Sequence, residues 1–330
     1  MQQSHFEQVI SELNQESQTG LVVFVFESDD PATYYIVDSE LKKWRVKHIT
    51  LEVLKEKFTG LQATQSNSSS HNKPGKRDWQ SFIEMNGLEI LQQLDCVLWA
   101  FVGELNYNAH LAVDVGWDWR HFALSLLICD WQSQQVFQLD SKVESKINYK
   151  QETINKEILR DKMIALFRQR QRPFPLDKIL VLRDGRECGD ELQSFDEAQQ
   201  QLTQYGCFKE KVQVDVVDVH KSSAKGIRLW WRDENDNIEQ IPEGIALFLD
   251  IKTVVLTTTG SPTLHQGTAE PIMLLSRSEG VNMLLAAEDF YATTHLNWSS
   301  PSMAQRLALE LKRTDEELTT RAAQEVRRVS

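Results

Sequence analysis

Lys178-Ile-Leu-Val-Leu-Arg-Asp-Gly-Arg-Glu-Cys-Gly-Asp-Glu-Leu192 decides how the rest of the chain is read. Ile179 to Leu182 are apolar and have the length of a short buried strand. The strand stops at Arg183-Asp184-Gly185-Arg186, where the glycine permits a sharp exit, and an acidic amphipathic run from Glu187 reads as a helix. A carboxylate, Asp184, therefore stands at the C-terminal tip of a buried strand, where open α/β sheets place their chemistry. The alternative is a turn in which Asp184 merely caps the next helix, since Asp is favoured there. The choice depends on whether other carboxylates converge on it.

Upstream, Ala109–Val115, Phe122–Ile128 and Gln135–Leu139 read as three strands joined by short links, an antiparallel meander. Ile154 to Arg170 carries apolar residues at helical spacing and stops before Pro173 and Pro175. The strand at 179–182, a helix from about Glu187 to Tyr205 and a strand at Val212–Val219 follow. Three antiparallel strands, helix, strand, helix, strand is the order of the ribonuclease H fold, in which the first and fourth strands lie side by side. Asp114 and Asp184 would then neighbour each other closely enough to share a divalent ion, which binds through carboxylates plus substrate phosphates.

The N-terminal part has a different pattern. Residues 1–18 form an expected amphipathic helix, Leu21–Phe26 a buried strand, Tyr34–Trp44 and Leu51–Phe58 helices, and Val46–Ile49 a short strand. Gln62 to Asp78, rich in Ser and Asn, reads as a flexible loop or linker, and a helix from Trp79 to Leu94 follows it. After 219 the chain continues with Ile227-Arg-Leu-Trp230 and a charged hairpin tip at Arg232–Asn237, and the sequence predicts strands near 245–249 and 252–259, then, after Gly267–Leu275, helices near 286–293 and from about Ala304.

The chain has 330 residues and a formal net charge of −12, which argues against a simple electrostatic nucleic-acid binder while permitting carboxylate metal sites. No apolar run is long enough to span a bilayer, and the N-terminus lacks a signal pattern. A cytoplasmic protein with no membrane partner is expected. Cys96, Cys129, Cys188 and Cys207 have no metal-ligand pair spacing and read as reduced, mostly buried thiols.

Five stretches carry a resemblance to the Piwi module of prokaryotic Argonaute proteins. They are Leu111-Ala-Val-Asp-Val-Gly116, Leu182-Arg-Asp-Gly-Arg186, Val219-His-Lys221 with Arg228-Leu229, Gly267-Thr-Ala-Glu-Pro271, and Leu296-Asn-Trp with Ser300-Pro301. They occur in the family's order. The resemblance implies a ribonuclease-H-like Piwi domain over 109–330. Before it would come a partial Rossmann-like Mid domain, with its first part at 1–61, a flexible insert at 62–78, and its end and connection at 79–108. It implies a guided endonuclease acting in host defence against foreign DNA, cutting with Mg²⁺ or Mn²⁺ held by three aspartates and a glutamate. Asp114 and Asp184 match the first two aspartates. Glu152, in Gln151-Glu152-Thr-Ile154, best matches the glutamate, with Glu144 and Glu157 as rivals. Asp315, in Lys312-Arg-Thr-Asp315, matches the last ligand, although Asp315-Glu-Glu317 also fits a solvated helix face and His295 is a further option. Lys221 and Arg228 match basic positions lining the family's nucleic-acid channel.

Two departures matter. The family's pocket for a 5′ phosphate uses a Tyr and a Lys a turn apart, plus a second Lys. Tyr35 fits the Tyr, but Asp38 stands where the first Lys is expected and Gln93 where the second is. A phosphate would meet an acid there, which is repulsive. Lys47, His48 and the basic 73–77 loop are the nearby substitutes. A 5′-hydroxyl guide, or a guide held jointly with a partner, fits better. The rest of the Mid domain and the amino-terminal and Paz domains find no match. The resemblance thus implies a truncated piece, one half of a split protein or a short form needing a partner, with a second protein chain supplying that half besides guide and target nucleic acid. The rival function is a module that binds guide and target without cutting and acts through its partner.

Overall fold

The computed structural model describes residues 3–16, 20–27, 33–34, 37, 40–41, 44–65, 74–93, 104–116, 121–130, 136–145, 153–169, 175–185, 190–221, 227–259, 270–297 and 304–329. They belong to two compact units, Met1–Trp99 (grouped with Trp298–Ser300) and Ala100–Asn297 with Pro301–Ser330.

The first unit holds α1 (Gln3–Gln15), β1 (Leu21–Phe26), β2 (Arg45–Thr50), α2 (Leu51–Gln65) and α3 (Pro74–Gln93). β1 and β2 pair in parallel, Leu21 opposite Arg45 through Phe26 opposite Thr50. Ile10, Phe24, Val37 and Leu41 form a small core. β1 is not the fully buried strand its unbroken apolar run suggests, because Val23 and Val25 on its other face are exposed. The stretch read as a linker is helical at both of its ends. α2 runs on to Gln65, and α3 starts at Pro74, a residue suited to the first helical position because its missing N–H has no helical partner there. Most of Tyr34–Trp44 lies outside the described residues.

The second unit is built on an eight-stranded sheet. Its strands are β3 (Ala109–Val115), β4 (His121–Asp130), β5 (Val136–Ser145), β6 (Leu176–Asp184), β7 (Phe208–His220), β10 (Ala246–Phe248), β11 (Thr253–Leu256) and β12 (Ile272–Ser276). A short hairpin of β8 (Trp230–Arg232) and β9 (Ile238–Gln240) stands outside it. The helices are α4 (Lys156–Gln169), α5 (Glu191–Gln204), α6 (Met283–Thr294) and α7 (Leu309–Val329). The spatial order is β10-β11-β12-β7-β6-β3-β4-β5. β3, β4 and β5 form the antiparallel meander, and β3, β6 and β7 run parallel. The first and fourth strands of the unit are thus neighbours, as the element order predicts.

Alternation along the strands divides the core into two layers. Leu111, Val113, Ile179 and Val181 pack on one face with Leu159, Met163 and Phe167 of α4 and Phe195 and Leu202 of α5. Ala112, Leu180, Leu182, Val217 and Val219 pack on the other with Ala287 and Phe290 of α6 and Leu311 of α7. Helices thus cover both faces of the parallel strands β3, β6 and β7, as parallel pairing requires.

Candidate metal centre

The parallel register pairs Val113 with Arg183. The next residues, Asp114 and Asp184, therefore end adjacent strands side by side, on the sheet face covered by α6 and α7. Gly185 turns the chain away at φ 80°, a conformation that Gly tolerates and side chains resist. Its N–H donates to Val219 O at 2.9 Å, which fixes the tip of β6 against β7. α7 brings Asp315 to the same place. One ligand oxygen from each of Asp114, Asp184 and Asp315 lies within 4.8 Å of the others. Asp114 and Asp184 are 7% and 8% exposed, whereas the Asp315 side chain is 45% exposed.

Three carboxylates this close repel one another unless a cation or protons intervene. Burial, and then the charge of Asp184, push the Asp114 carboxyl up to about 8, with Lys221 opposing the rise. Burial also raises Asp184, again against Lys221. The Lys221 ammonium forms an ion pair with Asp184 and donates to Asp315 Oδ1 at 2.9 Å. Burial would lower its pKa, but the charge of Asp184 and the bonds to Asp184 and Asp315 together outweigh burial and raise it. Arg306 fixes the backbone there, its Nη2 donating to Lys221 O at 2.6 Å. A cationic group thus already sits among the acids. An oxygen-rich, partly solvent-accessible cluster of this kind suits a hard divalent ion such as Mg²⁺ or Mn²⁺.

Behind the tip, Arg183 points to the opposite face and is wholly buried. Its Nε donates to Glu191 Oε2 at 2.9 Å, and its guanidinium also donates to the Asp184 carbonyl oxygen. Glu191 Oε1 accepts from Ile154 N at 3.0 Å. One carboxylate therefore ties the strand tip to the segment that follows Glu152.

Glu152 itself, and Tyr35 and Asp38 in the first unit, lie outside the described residues, as does the Gln93 side chain. Among the described residues the acid group contains the three aspartates alone. Glu157 is exposed in the first turn of α4, and Glu144 lies on β5 opposite Phe122. His295 caps the end of α6. Arg228 is exposed and donates to Ile227 O at 3.2 Å. The Lys47 ammonium forms an ion pair with Glu89 of α3, and Tyr34 stacks on His48 with ring centroids 4.5 Å apart. The cysteine described with its side chain, Cys207, is half-buried and forms no disulfide.

Sequence reasoning missed the position of Lys221 within the acid cluster and the Arg183–Glu191 pair. It also missed a buried cluster at the other end of β3. There His110 Nδ1 lies 2.9 Å from Glu310 Oε1, and His110 Nε2 lies 3.2 Å from Asp289 Oδ2. The available signal was a histidine four residues before Asp114, and so on the same strand face.

Fold and acid cluster together define a ribonuclease-H-like α/β unit with carboxylates at the tips of its central parallel strands. No protein-family model and no curated protein matches the sequence. Among solved structures, the chain is similar to Clostridium butyricum Argonaute bound to a guide DNA with a 5′ deoxycytidine and a 19-mer target DNA. The TM-score is 0.70 at 15% identity, over 96% of this chain. The chain has an Argonaute-like fold, and it spans 39% of the length of that neighbour. No helix among the described residues is long and apolar enough to cross a membrane.

Proposed function

We propose that the chain is a nucleic-acid-guided endonuclease module that hydrolyses a phosphodiester of a guide-paired target strand, in defence against foreign DNA. The convergence of Asp114, Asp184 and Asp315 carries this reading. Likeness to an Argonaute solved with guide and target DNA supports it. In this reading the three aspartates hold Mg²⁺ or Mn²⁺, and Glu152 completes the set. A divalent ion bound there supplies Lewis acidity toward a phosphate oxygen and acidifies a bound water. The protein's own groups prepare that site. Arg183 and Glu191 hold the tip of β6 from behind, and burial beside Asp184 keeps the Asp114 carboxyl protonated up to about pH 8. Lys221 balances Asp184 and Asp315 until a phosphate offers its ammonium another acceptor.

Lys221, Arg228, Lys47 and Tyr35 are the proposed nucleic-acid contacts. Residues 1–108 are the proposed Mid-derived part, interrupted by the insert at 62–78, and 109–330 the Piwi domain. The chain acts in the cytoplasm, and a second protein chain supplies the missing half. A guide pairs with its target by base pairing, so the protein need read only helix geometry and backbone.

A second reading, a guide-binding module that does not cut, is favoured by the ammonium lodged between Asp184 and Asp315. The acid and amide at Asp38 and Gln93 point the same way. Incubation with guide, labelled complementary target and Mn²⁺, beside Asp184→Ala, separates the two. Guide-dependent product from the unaltered protein alone is expected. Equal product from both proteins, or none from either, would sink the cleavage reading.

A further inference from the structure

β3 carries His110, Ala112 and Asp114 in a row on one face. α7 lies over that face and carries Glu310 and Asp315. At opposite ends of their contact, Glu310 meets His110 and Asp315 meets Asp114. Between them Ala112 and Leu311 are wholly buried and apolar, and the buried Thr314 donates its hydroxyl within the helix, to Leu311 O at 2.8 Å. The strand interval spans about 13 Å at about 3.3 Å per residue, and the helix interval about 7.5 Å at about 1.5 Å per residue. Side-chain reach at the two contacts spans the difference. A shift of the first contact would move the second.

The first contact is strongly held. His110 is wholly buried, with both ring nitrogens facing carboxylates, Glu310 of α7 and Asp289 of α6. Asp289 also accepts from the backbone N–H groups of Asn106 and Tyr107 at 2.9 Å each. Tyr107, whose ring meets that of His110 edge-on, donates its hydroxyl to Asp215 Oδ2 on β7 at 2.7 Å. The strand neighbours of His110, Leu127 on β4 and Leu180 on β6, are apolar.

We propose that His110 is a positioning residue for the acid cluster: bridging Asp289 and Glu310, it docks α6 and α7 on β3 and so sets where Asp315 meets Asp114. The proposal rests on the reading of Asp114, Asp184 and Asp315 as metal ligands. An imidazolium can donate to both carboxylates at once, whereas a neutral ring donates to only one. Burial lowers the pKa of this ring, but its bonds to Asp289 and Glu310 outweigh burial and raise it to about 9. A raised folded-state pKa gives stabilisation that is complete below the ordinary histidine range and is lost as pH rises through about 9.

Mn²⁺ binding measured by electron paramagnetic resonance at pH 7.5 tests this, on the full chain and on His110→Gln, Glu310→Gln and Asp184→Ala, with circular dichroism as the check on folding. We expect folded His110→Gln to bind Mn²⁺ about tenfold more weakly, the scale seen when groups that orient metal ligands are removed. Glu310→Gln should weaken binding in the same direction, and it decides the matter where His110→Gln does not fold. Nitrogen NMR of the unaltered protein should show both His110 ring nitrogens protonated at pH 7.5. Unchanged Mn²⁺ affinity in a folded variant, or a neutral His110 ring, overturns the proposal while Asp184-dependent binding keeps the metal-site reading. Absence of Asp184-dependent Mn²⁺ binding to the unaltered protein overturns both.

Discussion

Asp114 illustrates how one residue's surroundings set its chemistry. Removed from water beside Asp184, it retains its proton to about pH 8. Its folded-state pKa lies above the ordinary carboxylate value. Its contribution to stability is therefore complete below that ordinary range and is lost as pH rises through about 8. A cation that binds the ionised form must displace the proton. We therefore expect Mn²⁺ uptake at pH 7 to release close to one proton, and apparent affinity to climb with pH until about 8. Titration calorimetry in two buffers of different ionisation enthalpy measures the release; uptake without it contradicts this account. Asp184 was readable from sequence because an apolar run, a carboxylate and a glycine stand together. The placement of Lys221 was not, because its partners lie on β6 and α7, far away in the chain.

At the scale of elements, β6 and α5 are joined by an ion pair taken wholly out of water. Arg183 and Glu191 both have 0% exposure. Removing one partner of such a pair strands a buried charge, at a cost of about 3–5 kcal/mol. Glu191→Ala also leaves Ile154 N without its acceptor. We expect this variant to unfold in urea with a stability loss of at least that order. Glu191→Gln, which keeps an acceptor for Ile154, should lose less. Loss of under 1 kcal/mol for Glu191→Ala, on the scale of an exposed pair, would contradict the burial argument. The pair was hidden from sequence reading because Arg183 looked like part of a turn and Glu191 like one acid among several on an amphipathic helix. Element ends were missed for similar local reasons. β5 continues through Asp140-Ser-Lys-Val-Glu-Ser145, where polar residues mask a strand that pairing with β4 makes plain. α2 and α3 extend into a Ser- and Asn-rich stretch whose composition suggested a loop.

For the whole molecule, the sheet order was the most legible feature. Strand lengths and short links fix the meander, and the parallel strands that follow need helical crossovers on a covered face. The site followed only in part, since joining α7 to the strand tips is a tertiary fact that no local pattern carries. At a net charge of −12, the chain as a whole repels nucleic acid, so a duplex must be held by a few local cations. Each phosphate contact contributes about 0.9 to the slope of log affinity against log salt for B-form DNA. Arg228→Ala should lower that slope by about one and weaken binding evenly across sequences. Lys221→Met should do the same, but with a second effect that Arg228→Ala lacks. Its ammonium is shared with Asp184 and Asp315 before nucleic acid arrives, so its loss frees those carboxylates for Mn²⁺. We expect Lys221→Met to bind Mn²⁺ more tightly in the absence of nucleic acid and duplex less tightly in its presence. Fluorescence anisotropy at 50 to 200 mM salt (the range over which about 6–10 contacts change affinity by about 10³–10⁵) gives the slopes, and Mn²⁺ resonance gives the metal term. A slope unchanged by Lys221→Met would mean that the ammonium stays with the acids and never reaches a phosphate. The nucleic-acid contact would then fall to Arg228 and the first unit.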